Sequence, residues 1–224
     1  MADVLDVAWA TEWVRRSAAV VGEHRMELID LDRAIGDGDH GENLDRGFKA
    51  VLVKLDNPDT PKPESVGDVF KLVATTLMST VGGAAGPLYG TAYLRAAKVA
   101  DGPTVDAAGI AALLDAAVGG IVARGKAEVG DKTMVDAWTP AAAAALEVAD
   151  GGGTATQALR AAATAARTGA ESTDPLVARK GRASYLGERA VGHRDPGAES
   201  SALLLAVAAD VAEAAGAGAA GAAG

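Results

Sequence analysis

The chain has 224 residues, no cysteine, a formal net charge of -9 and 49% hydrophobic residues, few of which are aromatic. Without cysteine it has no disulfide, zinc–thiolate site or thiol nucleophile, and its negative charge repels nucleic acid. An anionic ligand therefore requires local cations, either metal ions or a few Lys and Arg side chains. A core of Ala, Val and Leu favours closely packed helices, so the composition predicts an all-α fold.

The first residues are unlike a targeting signal. Asp3, Asp6 and Glu12 are interspersed among apolar residues, which is wrong for a secretory signal peptide. No run of apolar residues approaches the ~20 residues of a membrane span. The sequence therefore predicts a cytoplasmic protein without membrane association.

Apolar residues recur at helical spacing from the N-terminus onward. Leu5, Trp9 and Trp13 lie four residues apart, and amphipathic patterns follow over 43–55 and 66–81. Further Ala-rich helices are predicted at about 87–100, 105–124, 133–150, 154–172 and 198–215. About eight helices with short connections favour an antiparallel bundle or barrel, in one domain over residues 1–215. The Gly/Ala-rich residues 216–224 are predicted to form a flexible tail.

Two segments interrupt the helical pattern. Residues 28–43 are dense in Asp and Gly, and residues 173–197 form a long polar stretch without helical period. Long structured loops in a compact domain often carry function. These two segments are therefore the first places to look for functional residues.

Four aspartates lie within ten positions of the first segment, at Asp30, Asp32, Asp37 and Asp39. Two carboxylates about 4 Å apart repel by roughly 4 kcal/mol at an effective dielectric of 20, so a converging cluster either takes up protons or binds a divalent cation. Oxygen ligands indicate magnesium, manganese or calcium. An EF-hand is excluded because its twelfth position, counted from Asp37, is Phe48 instead of Glu. The alternative is a solvated turn whose aspartates only cap the next helix.

A glycine-rich corner, Gly82 to Leu88, is predicted between two helices, with Pro87 at a first helical position. Its backbone N–H groups would suit a phosphate, although glycine there is equally explained by close helix packing. The chain has no P-loop, because Gly125-Lys126 is followed by Ala127 where Ser or Thr is required.

The second loop concentrates positive charge in an acidic protein, at Lys180, Arg182, Arg189 and Arg194. These side chains are the local cations that an anionic ligand requires. A surface salt-bridge patch is the alternative interpretation. A further segment, 125–134, is predicted to be a loop that leads into a helix.

Together, the strings IGDGDHGEN, GGAAGPLYGT, GKAEVGDKTMVDAW and KGRASYLGERAVGHRDPGA resemble the L subunit of dihydroxyacetone kinases. The similarity covers nearly the whole chain except the Gly/Ala tail. The resemblance implies a barrel of eight antiparallel helices with ADP bound at one end. It further implies that three aspartates hold the ADP phosphates through two magnesium ions, and these map to Asp32, Asp37 and Asp39. Asp30 has no counterpart in the family and is interpreted as a solvated or capping residue.

The resemblance also implies the positions that contact the nucleotide. His40, Gly41, Glu42 and Asn43 match the stretch beside the phosphates, and Arg182 matches a phosphate-facing cation; His40 and Arg182 are the candidate catalytic residues. The remaining implied positions are Ala84 and Ala85 at the glycine-rich corner, Gly125 and Met134 around the adenine, and Asp195 and Pro196 in the closing loop. The family often has serine where this chain has Ala85, so backbone N–H groups are left to bind phosphate there.

The function implied by the resemblance is a phosphotransferase with an alcohol group as acceptor. Bound ADP would accept a phosphoryl group from a phosphohistidine on an M subunit and pass it to dihydroxyacetone held on a K subunit. The chain lacks a K domain, which favours this type over the ATP-dependent kinases. Two alternatives stay open: an ATP-dependent kinase for dihydroxyacetone or another small ketose, and a Mg-ADP-dependent regulator that docks on a transcription factor. The oligomeric state is open too, with a homodimer as one option.

Overall fold

The computed structural model describes residues 4–221, with side chains described through 217. Its helices are α1 (Val7–Glu23), α2 (Arg25–Ile35), α3 (His40–Leu55), α4 (Val66–Thr80), α5 (Ala85–Val99), α6 (Ala107–Gly125), α7 (Val135–Asp150), α8 (Ala155–Ser172) and α9 (Pro196–Gly221). A 3-10 helix at Arg182–Ala190 precedes α9. Two short strands, β1 (Leu5–Asp6) and β2 (Thr104–Val105), pair in antiparallel register. The all-α prediction is confirmed.

Eight of the helices form a closed ring. From α3 to α9 each helix packs against the next one along the chain, and α1 closes the ring by packing against both α9 and α3. The indole N–H groups of Trp9 and Trp13 donate to the carbonyls of Ala208 and Leu204, so α1 and α9 run antiparallel. Helix α2 lies outside the ring, against α3, α9 and the 3-10 helix.

The interior of the barrel is built mainly from Ala, Val and Leu, with one aromatic cluster. The rings of Trp9, Trp13, Phe70 and Tyr93 lie with their centroids 5.4 to 6.4 Å apart. Small residues elsewhere let helices approach closely: a Cβ on Gly67 would lie 2.5 Å from the carbonyl oxygen of Ala97.

Helix α2 was not predicted from the sequence. Residues 28–35 were interpreted as part of an Asp/Gly-rich loop, but Leu28, Ile29 and Ile35 form a buried helical face there. The true connection spans only residues 36–39, and α3 begins at His40 instead of Asn43. The sequence prediction gave too much weight to the two aspartates of this helix, of which Asp30 is exposed and Asp32 belongs to the buried face.

Other boundaries also differ from the prediction. Leu5 pairs with Val105 in the small sheet instead of beginning a helix, and Pro87 is the third residue of α5 instead of the first. Helix α9 extends to Gly221, beyond the predicted end at 215, because alanine between the glycines favours helix. The remainder of the predicted flexible tail, 222–224, lies outside the described residues.

Two helices could cross a membrane by length and composition alone, Ala107–Gly125 and Pro196–Ala217. The prediction that no apolar run approaches this length is therefore wrong on this measure. In the second helix 61% of the apolar window is buried inside the fold, and a buried core helix passes the same test.

Candidate functional site

The N-terminal ends of α3, α5, α7 and α9 meet at one end of the barrel, where they line a cavity of about 380 Å³. Each helix start carries the positive end of a helix dipole, and its first backbone N–H groups have no intrahelical partner. Carboxylates accept from some of these groups at α3 and α9, whereas no side chain caps α5. Four such ends around one cavity favour an anionic ligand, although the protein as a whole is negative.

Most of the predicted site residues line this cavity. They are Asp32, Asp37, Asp39, His40, Asn43, Ala84, Ala85, Gly125, Met134, Arg182, Asp195 and Pro196. Gly41 and Glu42 do not line it. The structure thus brings together residues from segments that are far apart in the sequence.

Asp32, Asp37 and Asp39 form an acidic cluster on one side of the cavity. One carboxylate oxygen from each residue lies within 4.8 Å of the others. Asp32 is buried at the end of α2, and its Oδ2 accepts hydrogen bonds from the backbone N–H groups of Asp39 and His40 at 2.8 and 3.1 Å. Burial is the main cause that raises the pKa of Asp32, and the negative charges of Asp37 and Asp39 add to the rise. The two backbone hydrogen bonds oppose it but do not cancel it. Magnesium fits this donor set, because it prefers carboxylate oxygens and would relieve the repulsion.

Glycine permits the tight connection that carries this cluster. A Cβ on Gly36 would lie 2.1 Å from Oδ1 of Asp32, and Gly38 adopts a φ of 74°, which other residues rarely adopt. The connection can therefore curl around the Asp32 carboxylate only with glycine at these positions.

Arg182 reaches the acidic cluster from the 3-10 helix. Its Nη2 lies 2.8 Å from Oδ2 of Asp37, and its side chain is 71% exposed. Ile35 of α2 packs against Ala183 and Ala190, which fixes the 3-10 helix beside the end of α2. The guanidinium is thus placed next to the cluster but remains open to a ligand.

The glycine-rich corner joins α4 to α5, as predicted. Gly83 adopts a φ of 63°, and a Cβ on Gly86 would lie 2.3 Å from the carbonyl oxygen of Val81. No side chain caps the start of α5 at Ala84. Its first backbone N–H groups are therefore available for an anion.

Another part of the cavity is apolar. It is formed by Leu88, Ile121, Ala127, Met134 and Val135, together with Gly125 at the end of α6. A Cβ on Gly125 would approach Cδ2 of Leu88 to 3.1 Å. An apolar wall beside an anion-binding end suits a ligand with a flat apolar group, such as a nucleobase attached to phosphates.

His40 is buried at the start of α3. Its Nε2 lies 2.9 Å from Oγ of Ser200, and Oγ of Ser200 lies 2.7 Å from the hydroxyl of Tyr89. Burial lowers the pKa of His40 to about 4, so the imidazole is neutral near pH 7. Burial also raises the pKa of Tyr89, which stays protonated.

Asp195 caps α9, its Oδ2 accepting from the backbone N–H of Ala198 at 2.7 Å. Burial is the main cause that raises the pKa of Asp195 to about 7; the negative charge of Asp136 adds to this shift, and the positive charge of Lys132 opposes it. A pKa of about 7 means that Asp195 changes charge near neutral pH.

Lys132 lines the cavity and was missed by the sequence analysis. It is 1% exposed, and its ammonium group donates to the backbone carbonyls of Thr173, Asp174 and His193. These bonds tie the end of α8 to the segment before Asp195. A lysine between two predicted helices in a Gly/Asp-rich loop was the available signal, but its burial depends on tertiary structure.

Gly41 and Glu42 have other surroundings. A Cβ on Gly41 would lie 2.2 Å from the carbonyl oxygen of Arg25, so this glycine permits close packing of α3 on α2. Glu42 is exposed and forms an ion pair with Arg25. Asp30 is exposed as well and pairs with Arg33.

A family model and individual relatives both assign the chain to one family. Residues 34–210 match the family model described as the DAK2 domain. The chain is 46% identical to the "PEP-dependent dihydroxyacetone kinase 1, ADP-binding subunit DhaL" of Listeria innocua, over 89% of this chain and 93% of that protein. It is 41% identical to the ADP-binding subunit DhaL of the PEP-dependent dihydroxyacetone kinase of Escherichia coli, over 84% of this chain and 89% of that protein.

A solved structure shares the fold. The dihydroxyacetone kinase of C. freundii, crystallised with AMP-PNP and Mg²⁺, superposes with a TM-score of 0.65 at 23% identity. The match covers 94% of this chain and 35% of that kinase chain, so the present chain corresponds to about a third of it.

Proposed function

The chain belongs to the DAK2-domain family of dihydroxyacetone kinase L subunits, and on that premise we propose that it is the ADP-binding subunit of a PEP-dependent dihydroxyacetone kinase. In this proposal bound ADP accepts a phosphoryl group from a phosphohistidine on an M subunit. The phosphoryl group then passes to dihydroxyacetone on a K subunit. The cytoplasmic location predicted from the sequence is part of this proposal.

One observation carries the proposal: the acidic cluster and four helix N-termini share a single cavity. The carboxylates alone would repel a nucleoside diphosphate, whereas helix N-termini alone would bind any small anion. The combination selects an anion that arrives with divalent cations. Mg-ADP has this chemistry, and the apolar wall around Met134 and Gly125 supplies a surface for its adenine.

The chain's own residues have distinct parts in the proposed transfer. Asp32, Asp37 and Asp39 would hold two magnesium ions, which neutralise charge on the phosphate oxygens when bound. The backbone N–H groups at Ala84 and Ala85 would bind phosphate without the help of a side-chain hydroxyl, because this chain has alanine at position 85. Arg182, exposed beside Asp37, can turn toward the terminal phosphoryl group and stabilise the charge that develops during transfer.

The first test is to purify the protein without added nucleotide, denature it with acid, and quantify adenine nucleotide and magnesium per chain. Near-stoichiometric ADP with about two magnesium ions is the expected result for a resident coenzyme. Addition of the K and M subunits, the phosphoenolpyruvate-driven donor system and dihydroxyacetone should then give phosphorylated product without free ATP.

The same assay can contradict the proposal in two ways. An empty protein that binds Mg-ATP reversibly, and supports transfer from ATP but not from the phosphohistidine subunit, would indicate an ATP-dependent kinase. A protein that binds no adenine nucleotide in the presence of magnesium would overturn both assignments.

A further inference from the structure

We infer that His40 is held in a single tautomer, with its proton on Nε2, by a buried hydrogen-bond chain. This chain runs from His40 through Ser200, Tyr89 and Ser201 to the backbone carbonyl of Gly197. Every hydroxyl group supplies one proton. The direction of each hydrogen bond therefore fixes the direction of the next one.

The direction is set at the Gly197 end. Oγ of Ser201 lies 2.6 Å from the carbonyl oxygen of Gly197, which has no proton, so Ser201 must donate. With its proton committed, Ser201 can only accept from its other two neighbours. These are the indole N–H of Trp138, at 2.8 Å, and the hydroxyl of Tyr89, at 2.9 Å.

The remaining two steps follow from the shortest contacts. Because Tyr89 donates to Ser201, its 2.7 Å contact with Ser200 requires Ser200 to be the donor. Ser200 has then used its proton and can only accept from Nε2 of His40, at 2.9 Å. The longer contacts of Ser200 and Tyr89 with the Gly197 carbonyl, at 3.1 and 3.3 Å, are secondary in this arrangement.

The other ring nitrogen, Nδ1, is left with a lone pair. Within the described residues Nδ1 forms no hydrogen bond. It is also not one of the fully buried side-chain atoms that lack a partner there, which are Oγ of Ser17 and Oδ1 of Asp45. Nδ1 is thus not sealed in the interior, and His40 lines the cavity. It is presented to the ligand as a hydrogen-bond acceptor.

An acceptor nitrogen cannot bond to an unprotonated phosphate oxygen, so its partner must carry a proton, in an O–H or N–H group. This step rests on the proposed function. Since the backbone N–H of His40 binds Asp32 in the acidic cluster, the candidates are a water on the bound magnesium and a hydroxyl of the nucleotide. Ser200 and Tyr89 are then positioning residues, which act on the ligand through His40.

Nitrogen-15 NMR of the histidine side chains in ligand-free protein tests the tautomer. The chain has three histidines, and His24→Asn and His193→Asn variants identify the His40 signals. We expect a protonated Nε2 and an unprotonated Nδ1. Ser200→Ala should move both signals toward a mixture of tautomers. Tyr89→Phe should move them less, because Ser200 can then donate to the Gly197 carbonyl at 3.1 Å, and Tyr93→Phe, one helical turn from Tyr89, should leave them unchanged. A proton on Nδ1 in the unmodified protein would overturn the inference.

Stepwise addition of Mg²⁺ and then ADP tests the role of Nδ1. A change in its signal at either step supports the acceptor role, and a change with Mg²⁺ alone identifies the partner as a metal-bound water. No change although ADP binds would overturn the acceptor role. Ser200→Ala should weaken Mg-ADP binding about tenfold with unchanged circular dichroism. Failure of the unmodified protein to bind Mg-ADP would overturn the proposed function while leaving the tautomer result intact.

Discussion

Asp37 and Asp39 lie beside the buried Asp32, and three carboxylates this close repel one another unless a cation binds between them. We expect Asp37→Asn and Asp39→Asn each to weaken Mg-ADP binding by about 100-fold, because each change removes a charged oxygen ligand. The free energy of unfolding should stay the same or rise, since repulsion is relieved. Calorimetric titration with Mg-ADP and urea unfolding measure the two effects.

Asp30→Asn is the matched control for these variants. Asp30 belongs to the same run of aspartates, but it is exposed, pairs with Arg33 and does not line the cavity. It should keep the affinity of the unmodified protein. Equal losses for Asp30→Asn and Asp37→Asn would show that general charge, and not metal coordination, explains the effect.

A variant at Arg182 tests catalysis separately from stability. Because its side chain is 71% exposed, its ion pair with Asp37 contributes at most about 1 kcal/mol to folding. We expect Arg182→Gln to slow phosphoryl transfer about 100-fold in single-turnover assays with the K subunit. Arg189→Gln, on the same 3-10 helix, should have little effect on transfer. A melting temperature that falls in step with activity for Arg182→Gln would contradict a role in transfer.

The residues of the site differ in how far the sequence could predict them. The acidic cluster is local, since its three aspartates lie within eight positions and converge around one short connection. Ser200 contacts His40 from 160 residues away. A serine in an apolar helix gives no sign of its partner, and so the buried hydrogen-bond chain could not be predicted from spacing.

At the scale of elements, the position of the acidic cluster depends on how closely α3 packs against α2. A Cβ on Gly41 would lie 2.2 Å from the backbone carbonyl of Arg25 and 3.0 Å from a side-chain carbon of Ile29. We expect Gly41→Ala to lower the free energy of unfolding by about 1–3 kcal/mol, because backbone must shift to admit the methyl group. Chemical denaturation followed by circular dichroism measures this change.

Gly119→Ala provides the comparison for Gly41→Ala. Gly119 lies inside α6, and a Cβ there would meet nothing within 4 Å. Alanine should stabilise this helix by up to about 1 kcal/mol. A similar response of both variants would mean that helix propensity, and not contact between α2 and α3, decides the outcome at Gly41.

Helix periodicity predicted most elements, but α2 was hidden among aspartates. Its buried face consists of Leu28, Ile29, Asp32 and Ile35, so one position of the apolar face is taken by a carboxylate that serves the site. A functional residue in the buried face breaks the periodic pattern on which the prediction depends. The functional residue Asp32 is therefore the reason why α2 was not recognised as a helix from the sequence.

For the whole molecule, short connections between successive helices predicted an antiparallel bundle or barrel without deciding between them, and the family resemblance implied the barrel. Closure depends on α1 and α9, which lie at opposite ends of the sequence and are joined by hydrogen bonds from Trp9 and Trp13. The alternation of eight helices then brings the N-termini of α3, α5, α7 and α9 to the same end. The electrostatic character of the cavity is thus a property of the topology.

The pH dependence of stability also belongs to the whole molecule, because the pKa of Asp195 depends on charges from two other segments: Lys132 and Asp136 at the start of α7, and Asp32 in α2. Its pKa is about 7 in the folded protein and about 4 in an unfolded chain. The folded state therefore binds the proton more tightly, so the stability due to protonated Asp195 is complete below about pH 4 and is lost as the pH rises toward 7.

We expect Asp195→Asn to remove this loss, because asparagine stays neutral and its carbonyl oxygen can still accept from the backbone N–H of Ala198. The stability of the variant relative to the unmodified protein should increase from about pH 4 to about pH 7 and level off above that. His40, whose lowered pKa of about 4 acts in the opposite direction over this range, is present in both proteins and cancels in the difference. Urea unfolding of both proteins at a series of pH values, without magnesium or nucleotide, measures this difference in stability. Stability curves of the variant and the unmodified protein that run parallel between pH 4 and 7 would contradict a raised pKa for Asp195.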